Sequence, residues 1–341
     1  MISTVKATFT WLLATLLHPR ALRLFHRGPL TILMYHGVIE RPMTIPDPCM
    51  VNIDAFRSQM RYLKEHFNVV SLTQAVRLIE DDAITDPTVV ITFDDGYQNN
   101  FDLAYPILCE EHLPVTIFIS TLFTDSDTTI WTGILQNAFA LSPRSGFEWR
   151  GQRFDLGSLE QRQESLTAVK LLLKDNPQDT LFSEVDSIVA SLDASGPISL
   201  AIDSPYRMLT SNSVKILAKS DLIELGAHTH SHYILSRIPV AAQEIEIRNS
   251  LDLVESHTGG PCRWFAYPNG RSCDYDDNSL MILRKAGVTA AVTTESGTCD
   301  ASTPVLELKR IAVSGDADMS SFRLSLFDIP GRLKGLLARR G

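Results

Sequence analysis

The stretch Val89-Val90-Ile91-Thr92-Phe93-Asp94-Asp95-Gly96 is an apolar run that stops on two adjacent carboxylates and a glycine. A run of β-branched and aromatic residues without polar alternation belongs to a strand covered on both faces, the condition of parallel sheets whose connections are helices. Such a strand delivers two charges to one place. Ionised carboxylates beside a buried strand are costly unless donors or a metal compensate them. Asp-Gly is equally a turn signal, so the doublet by itself also fits a plain surface turn.

The rest of the chain repeats the pattern. Leu30–Val38 is a second apolar strand, and His36 sits where it runs out. Ile53–Phe67 predicts a helix with Asp54 as N-cap and Phe56, Met60 and Leu63 on one stripe. Val69–Leu72 predicts a short strand, and Thr73 can cap the helix after it. A helix over 99–111 and a strand over 115–120 continue the rhythm, which implies parallel βα units. Between about 121 and 205 it breaks: Trp131, Phe139, Phe147, Trp149 and Phe154 lie among polar residues, and the stretch near 158–195 is helical and rich in Gln, Glu and Asp. No linker marks a separate domain, so 121–205 is an insertion, with aromatics expected mainly to pack beneath it. Alternation resumes at 210–219, with strands at 222–227, 263–267 and 290–294.

With 341 residues, 44% of them hydrophobic, the chain has enough apolar side chains for a large core, and a single α/β barrel of this length is ordinary. Its net charge of -9 argues against a nucleic-acid surface. The bases concentrate at the ends: Lys6, Arg20, Arg23 and Arg27 with no acid in 1–28, and Arg323, Arg332, Lys334, Arg339 and Arg340 against Asp328 in 322–341. The run Phe9–Leu17 falls short of the roughly 20 apolar residues that a span needs, and no small-residue cleavage site follows it. The ends are expected either to pack as terminal helices or to touch an anionic membrane surface. Five cysteines without CxxC spacing suit a reducing compartment, and the cytoplasm is the expected location.

Three polar clusters stand just past the ends of apolar strands: Asp94-Asp95, His228-Thr229-His230-Ser231-His232, and Pro268-Asn269-Gly270. In an α/β barrel the loops at that end converge on the active site. Two histidines and a carboxylate suit a zinc-like ion with one position left for water. One aspartate can be the third ligand and the other a general base. Neighbouring strand residues point to opposite faces, so both can serve one site only if the backbone turns at Gly96. On an extended strand all three histidines would share a face, whereas in a turn His228 and His232 meet.

Thr92-Phe93-Asp94-Asp95-Gly96-Tyr97, His228-Thr229-His230-Ser231-His232 and Phe265-Ala266-Tyr267-Pro268-Asn269-Gly270 resemble the first three motifs of the polysaccharide deacetylases, carbohydrate esterase family four. Met34–Val38, Gln59–Leu63 and Arg310-Ile311-Ala312-Val313 resemble bacterial branches of it. The resemblance covers roughly residues 30–315. It implies a distorted (β/α) barrel of about seven strands with a largely helical insertion, flanked by a basic head (1–29) and a basic tail (316–341). It also implies a metal-dependent hydrolase that removes N-acetyl groups from an amino-sugar glycan or glycan precursor.

Carried over by position, Asp94 is the base, and Asp95, His228 and His232 hold a divalent metal, zinc first, with cobalt, nickel or manganese as alternatives. Thr229 orients the histidine loop, and the Asn269 backbone N–H donates to the oxyanion. Two departures stand out. Ala266 occupies a place where many relatives have Arg, and Arg263 cannot simply replace it; and no histidine follows His257, although the family's late motif supplies one as general acid. His36, or Asp94 after taking the water's proton, is the expected donor. The competing expectations are a small-molecule C–N hydrolase on the same fold and an inactive carbohydrate-binding relative.

Overall fold

A computed structural model describes residues 30–194 and 204–326. The two basic ends lie largely outside these residues, and so does the expectation of membrane contact that rests on them. Seven parallel strands close into a barrel: β1 (Leu30–Tyr35), β2 (Thr88–Phe93), β3 (Val115–Ile119), β4 (Ile223–Ala227), β5 (Trp264–Ala266), β6 (Ala290–Ser296) and β7 (Leu308–Ala312). Closure comes from β1, which pairs with β2 in register from Leu30↔Thr88 to Tyr35↔Phe93 and with β7 at Leu33↔Ile311.

Parity divides the core into two layers. Leu30, Ile32, Val90, Phe118, Trp264, Ala266, Val292 and Leu308 fill the barrel, and the helix Leu72–Glu80 plugs it with Leu72, Ala75, Val76 and Ile79. The alternate residues Leu33, Tyr35, Val89, Ile91, Phe93, Ile117 and Leu225 face the outer helices. Both faces of β1, β2 and β3 are therefore buried and largely apolar, which is why these strands read as continuous runs.

The barrel's strands differ from the expected set in one place. Of the expected strand at 69–72 only Val69 lies in a strand, as the second residue of Asn68–Val69, which pairs at the foot of β2, outside the closed ring. The seventh stave is β7, whose Leu308-Lys309-Arg310 start lacks an apolar run. Two caps also move. Asn52, not Asp54, caps the helix Ile53–His66 by accepting from the Asp54 N–H, and Ser71, not Thr73, caps Leu72–Glu80 in a capping box. Both shifts follow from the N-cap needing extended backbone one residue before the first helical turn.

Residues 131–191 add the helices Trp131–Leu141, Leu159–Asp175 and Leu181–Ser191 and the hairpin Gly146–Trp149/Gln152–Asp155. Trp131, Phe139, Phe147, Trp149 and Phe154 are all buried in this unit's own apolar core. The helix Met319–Ser325, in the stretch assigned to the tail, buries Phe322 against Tyr62.

Gly226 shows how tightly the barrel is filled. A Cβ there would lie 2.5 Å from Phe118 Cδ1 and 2.9 Å from the Trp264 carbonyl oxygen. Gly226→Ala is therefore expected to cost about 1–3 kcal/mol by overpacking, read as a lower urea midpoint; an unchanged midpoint would show that the barrel can yield here.

Candidate metal and catalytic site

Asp94 follows β2 in phase with Val90 and Thr92, so its side chain enters the barrel's mouth. Arg310, in phase with Leu308 on β7, meets it there. Nη1 donates to Asp94 Oδ1 at 2.7 Å and Nη2 to Oδ2 at 2.6 Å. The guanidinium is completed by the Thr293 carbonyl at 2.8 Å and the Thr92 hydroxyl at 3.1 Å. This two-pronged geometry is the strong form of carboxylate recognition. Burial alone would raise the Asp94 pKa, but Arg310, with smaller contributions from His228 and His36, holds it below the ordinary carboxylate value. Sequence reasoning did not find Arg310 in this role. Its signal was parity: a charged residue two positions after Leu308 on an inward-facing row.

Strand alternation would turn Asp95 away from Asp94. The chain reverses instead, with φ of 77° at Asp95 and 81° at Gly96. The Ser120 N–H donates to the Asp95 carbonyl and the Leu209 N–H to that of Gly96, fixing the turn. Asp95 Oδ1 then lies 3.5 Å from His228 Nε2 and 3.3 Å from His232 Nε2. One ligand atom from each of the three residues falls within 4.8 Å of the others.

These residues fit a divalent ion. His228 Nδ1 lies 2.8 Å from the Ala266 carbonyl, which can only accept, so Nδ1 carries the proton and Nε2 presents a lone pair. Asp95 Oδ1 is buried without a hydrogen-bond partner among the described residues. A carboxylate oxygen facing two imidazole nitrogens is favourable only with a proton or a cation between them. Burial would raise the Asp95 pKa; the two histidines overcome it and hold that pKa well below the carboxylate range.

The turn that brings His228 and His232 together has Thr229 at φ 57° and His232 at φ 60°. For a β-branched residue such as Thr229 this backbone is strained and must be held from outside. Among the described residues the Thr229 hydroxyl has no hydrogen-bond partner through which to orient the loop. Other groups do that. The Ser120 hydroxyl donates to the His228 carbonyl at 3.0 Å, and Glu246 accepts from the Ser231 N–H at 2.7 Å and hydroxyl at 2.8 Å. His230 points elsewhere, with Nδ1 2.9 Å from the Thr121 hydroxyl.

Asn269 follows β5 at φ 60°, its side-chain amide donating to Asp274 and its carbonyl accepting from the Thr294 hydroxyl. His36 follows β1; Asn100 Nδ2 donates to its carbonyl at 2.7 Å, and its imidazole lies close enough to act electrostatically on both Asp94 and Asp95. All six residues singled out in the sequence therefore stand in segments leaving the C-terminal ends of β1, β2, β4 and β5.

The polysaccharide deacetylase family model matches residues 81–142 and 154–291, more than half of the chain. The gap between the two blocks falls mainly on the hairpin of the added unit. YxkH of Bacillus subtilis (strain 168), whose name provisionally places it among polysaccharide deacetylases, is 21% identical over 296 residues, covering 86% of this chain and 74% of that protein. Among solved structures, Streptococcus pyogenes deacetylase PplD in complex with acetate superposes with a TM-score of 0.59 at 20% identity, covering 88% of this chain and 99% of that one. IcaB from Ammonifex degensii does so with a TM-score of 0.56 at 17% identity, covering 87% and 96%. At these identities the structural likeness speaks for the shared barrel. The family match speaks for descent and activity: this chain belongs to the polysaccharide deacetylases, hydrolases that remove N-acetyl groups from glycans.

Proposed function

We propose that the chain hydrolyses the acetamido group of an amino sugar in a glycan or glycan precursor, with Asp95, His228 and His232 holding a divalent metal and Asp94 acting as general base. The observation that carries this division is the contrast between adjacent carboxylates: Asp94 is locked to a guanidinium, and Asp95 faces two imidazole nitrogens. Two histidines and one carboxylate favour zinc, with cobalt, nickel and manganese able to use similar donors. Bound there, the ion would polarise the acetyl carbonyl and acidify the attacking water.

The protein's own groups do the rest. Asp94 takes a proton from the water, whose oxygen adds to the acetyl carbon. We assign to the Asn269 backbone N–H the contact with the oxygen on which charge develops; one such donor is worth about 3–4 kcal/mol. The carbon–nitrogen bond then breaks, the nitrogen receives a proton, and acetate and a free amine leave. We assign that proton to His36, since Asp94, clamped below its ordinary pKa, is a weak donor.

Metal content of the purified protein and acetate release from N-acetylated oligosaccharides test this function. Bound metal without acetate release from any glucosamine-type substrate rejects it. His36→Ala is expected to lower kcat by about 100-fold and to remove the limb on which activity falls with rising pH; an unchanged profile excludes His36 as donor.

We place the reaction in the cytoplasm, with the basic ends drawing the protein to the anionic inner face of the membrane, where a glycan precursor is met before export. The support is the charge of residues 1–28 and 322–341. Among the described residues no helix is long and apolar enough to cross a membrane. Recovery of all activity in the soluble fraction at low salt would contradict the membrane contact.

A further inference from the structure

The helix Leu159–Asp175 buries Leu166, Val169 and Leu173 in the core of the added unit. Next to that stripe, one turn apart and on one face, stand Lys170 and Lys174, both half-buried. Lys170 Nζ donates to Gln136 Oε1 at 2.9 Å, and Gln136 Nε2 donates to the Ile45 carbonyl at 3.0 Å, which ties this face to the loop after β1. Neither lysine forms an ion pair among the described residues.

The charges around them belong to the catalytic mouth. Lys170 lies within electrostatic reach of Asp47 and of Lys174, and Lys174 within reach of Arg271, Asp274, Asp95 and His232. Most of the acids there are already engaged. Asp94 is paired with Arg310 and Asp274 with Arg271, while Asp47 accepts from the Tyr206 hydroxyl at 2.7 Å and the Cys49 N–H at 2.9 Å. Burial lowers the pKa of both lysines, so holding them charged without a carboxylate in contact is a cost that the fold does not recover internally. Two ammonium groups thus stand at the mouth with no carboxylate in contact, a partner that an anionic group on a ligand can supply.

We propose that Lys170 and Lys174 form an oxyanion subsite beside the hydrolytic centre, so that the preferred substrate carries a phosphate or carboxylate on, or one sugar away from, the N-acetylated residue. This rests on the hydrolytic function above and narrows its substrate class. The two lysines bind and position; they take no part in proton transfer.

The test is calorimetric titration of the metal-loaded full chain with three probes: N-acetylglucosamine 1-phosphate, an N-acetylated disaccharide bearing a uronic acid, and neutral diacetylchitobiose. At least one anionic probe is expected to bind about tenfold more tightly than the neutral one, as a charge-assisted contact gives, and the stronger of the two anionic probes identifies the anion. Lys174→Met and Lys170→Met should each reduce that preference, Lys174→Glu should abolish it, and Lys174→Arg should keep it, with metal content unchanged. Equal binding of all three probes overturns the proposal. So does a preference that survives both methionine substitutions, which would place the anion on the metal.

Acetate release separates the two failures. Turnover of the neutral probe with no charge preference removes the subsite and leaves the hydrolase. Lysine-dependent binding with no acetate from any probe removes the hydrolase and leaves the subsite.

Discussion

Asp94→Asn is expected to keep the bound metal and lose turnover by about 10²–10⁴-fold, whereas Asp95→Asn is expected to lose the metal itself. The first substitution removes the proton acceptor but leaves a side chain of the same size in the barrel's mouth. The second removes the one carboxylate among three ligand atoms within 4.8 Å. Its cost in metal affinity should exceed the roughly 10–100-fold typical of losing an outer partner. Metal binding to the folded state adds stability by linkage. A chelator should therefore lower the Tm of the wild type and of Asp94→Asn and leave that of Asp95→Asn nearly unmoved. Metal analysis, acetate release and melting with and without chelator check all three statements. Identical effects from the two substitutions would contradict the assignment of separate roles.

Arg310→Met should be the most destabilising single change in the site, by about 3–5 kcal/mol at neutral pH. Both partners are almost fully buried, at 0% and 2% side-chain exposure, so the change leaves a carboxylate without solvent and without the counter-charge in contact with it. It also strips the donor from the Thr293 carbonyl. The pH dependence has a definite sign. In the wild type the Asp94 pKa lies below its unfolded value, so the pair contributes fully above the ordinary carboxylate pKa and is lost as pH falls through the lowered one. In Arg310→Met the burial that opposes ionisation is met only by the smaller contributions of His228 and His36, so that pKa rises. The difference between the two proteins should therefore be largest at neutral pH and narrow in acid, where the variant's Asp94 is buried as a neutral group. Urea midpoints at several pH values measure this. Asp94→Asn should recover part of the loss when combined with Arg310→Met, because the isolated charge is gone. A loss that does not vary with pH would mean that Arg310 works only by packing. Activity should fall in Arg310→Met while metal binding persists, since Arg310 touches Asp94 and not the Asp95, His228 and His232 cluster.

These two predictions differ in what made them visible. The doublet Asp94-Asp95 and the pair His228/His232 stand at the ends of apolar strands, and strand ends can be recognised from local sequence because both faces of a barrel strand must be apolar. The resemblance of the motifs then separated the two aspartates. Arg310 was hidden for the converse reason. β7 begins Leu308-Lys309-Arg310, which does not read as a buried strand, because a charge inside a barrel is tolerable only with a partner, and the partner lies 216 residues away.

Local patterning by itself determined most of the strands and helices, the end of the barrel that carries the chemistry, and the six residues gathered there. Tertiary structure decided which strand closes the ring, that Asp95 turns back toward the histidines through left-handed backbone, and that Ser120 and Glu246 rather than the Thr229 hydroxyl hold the histidine loop. It also decided that two lysines from the helix Leu159–Asp175 overlook the mouth. The physical divide is range: a strand's apolar faces and a helix's cap are satisfied within a few residues, whereas the partner of a buried charge is supplied only when the barrel closes.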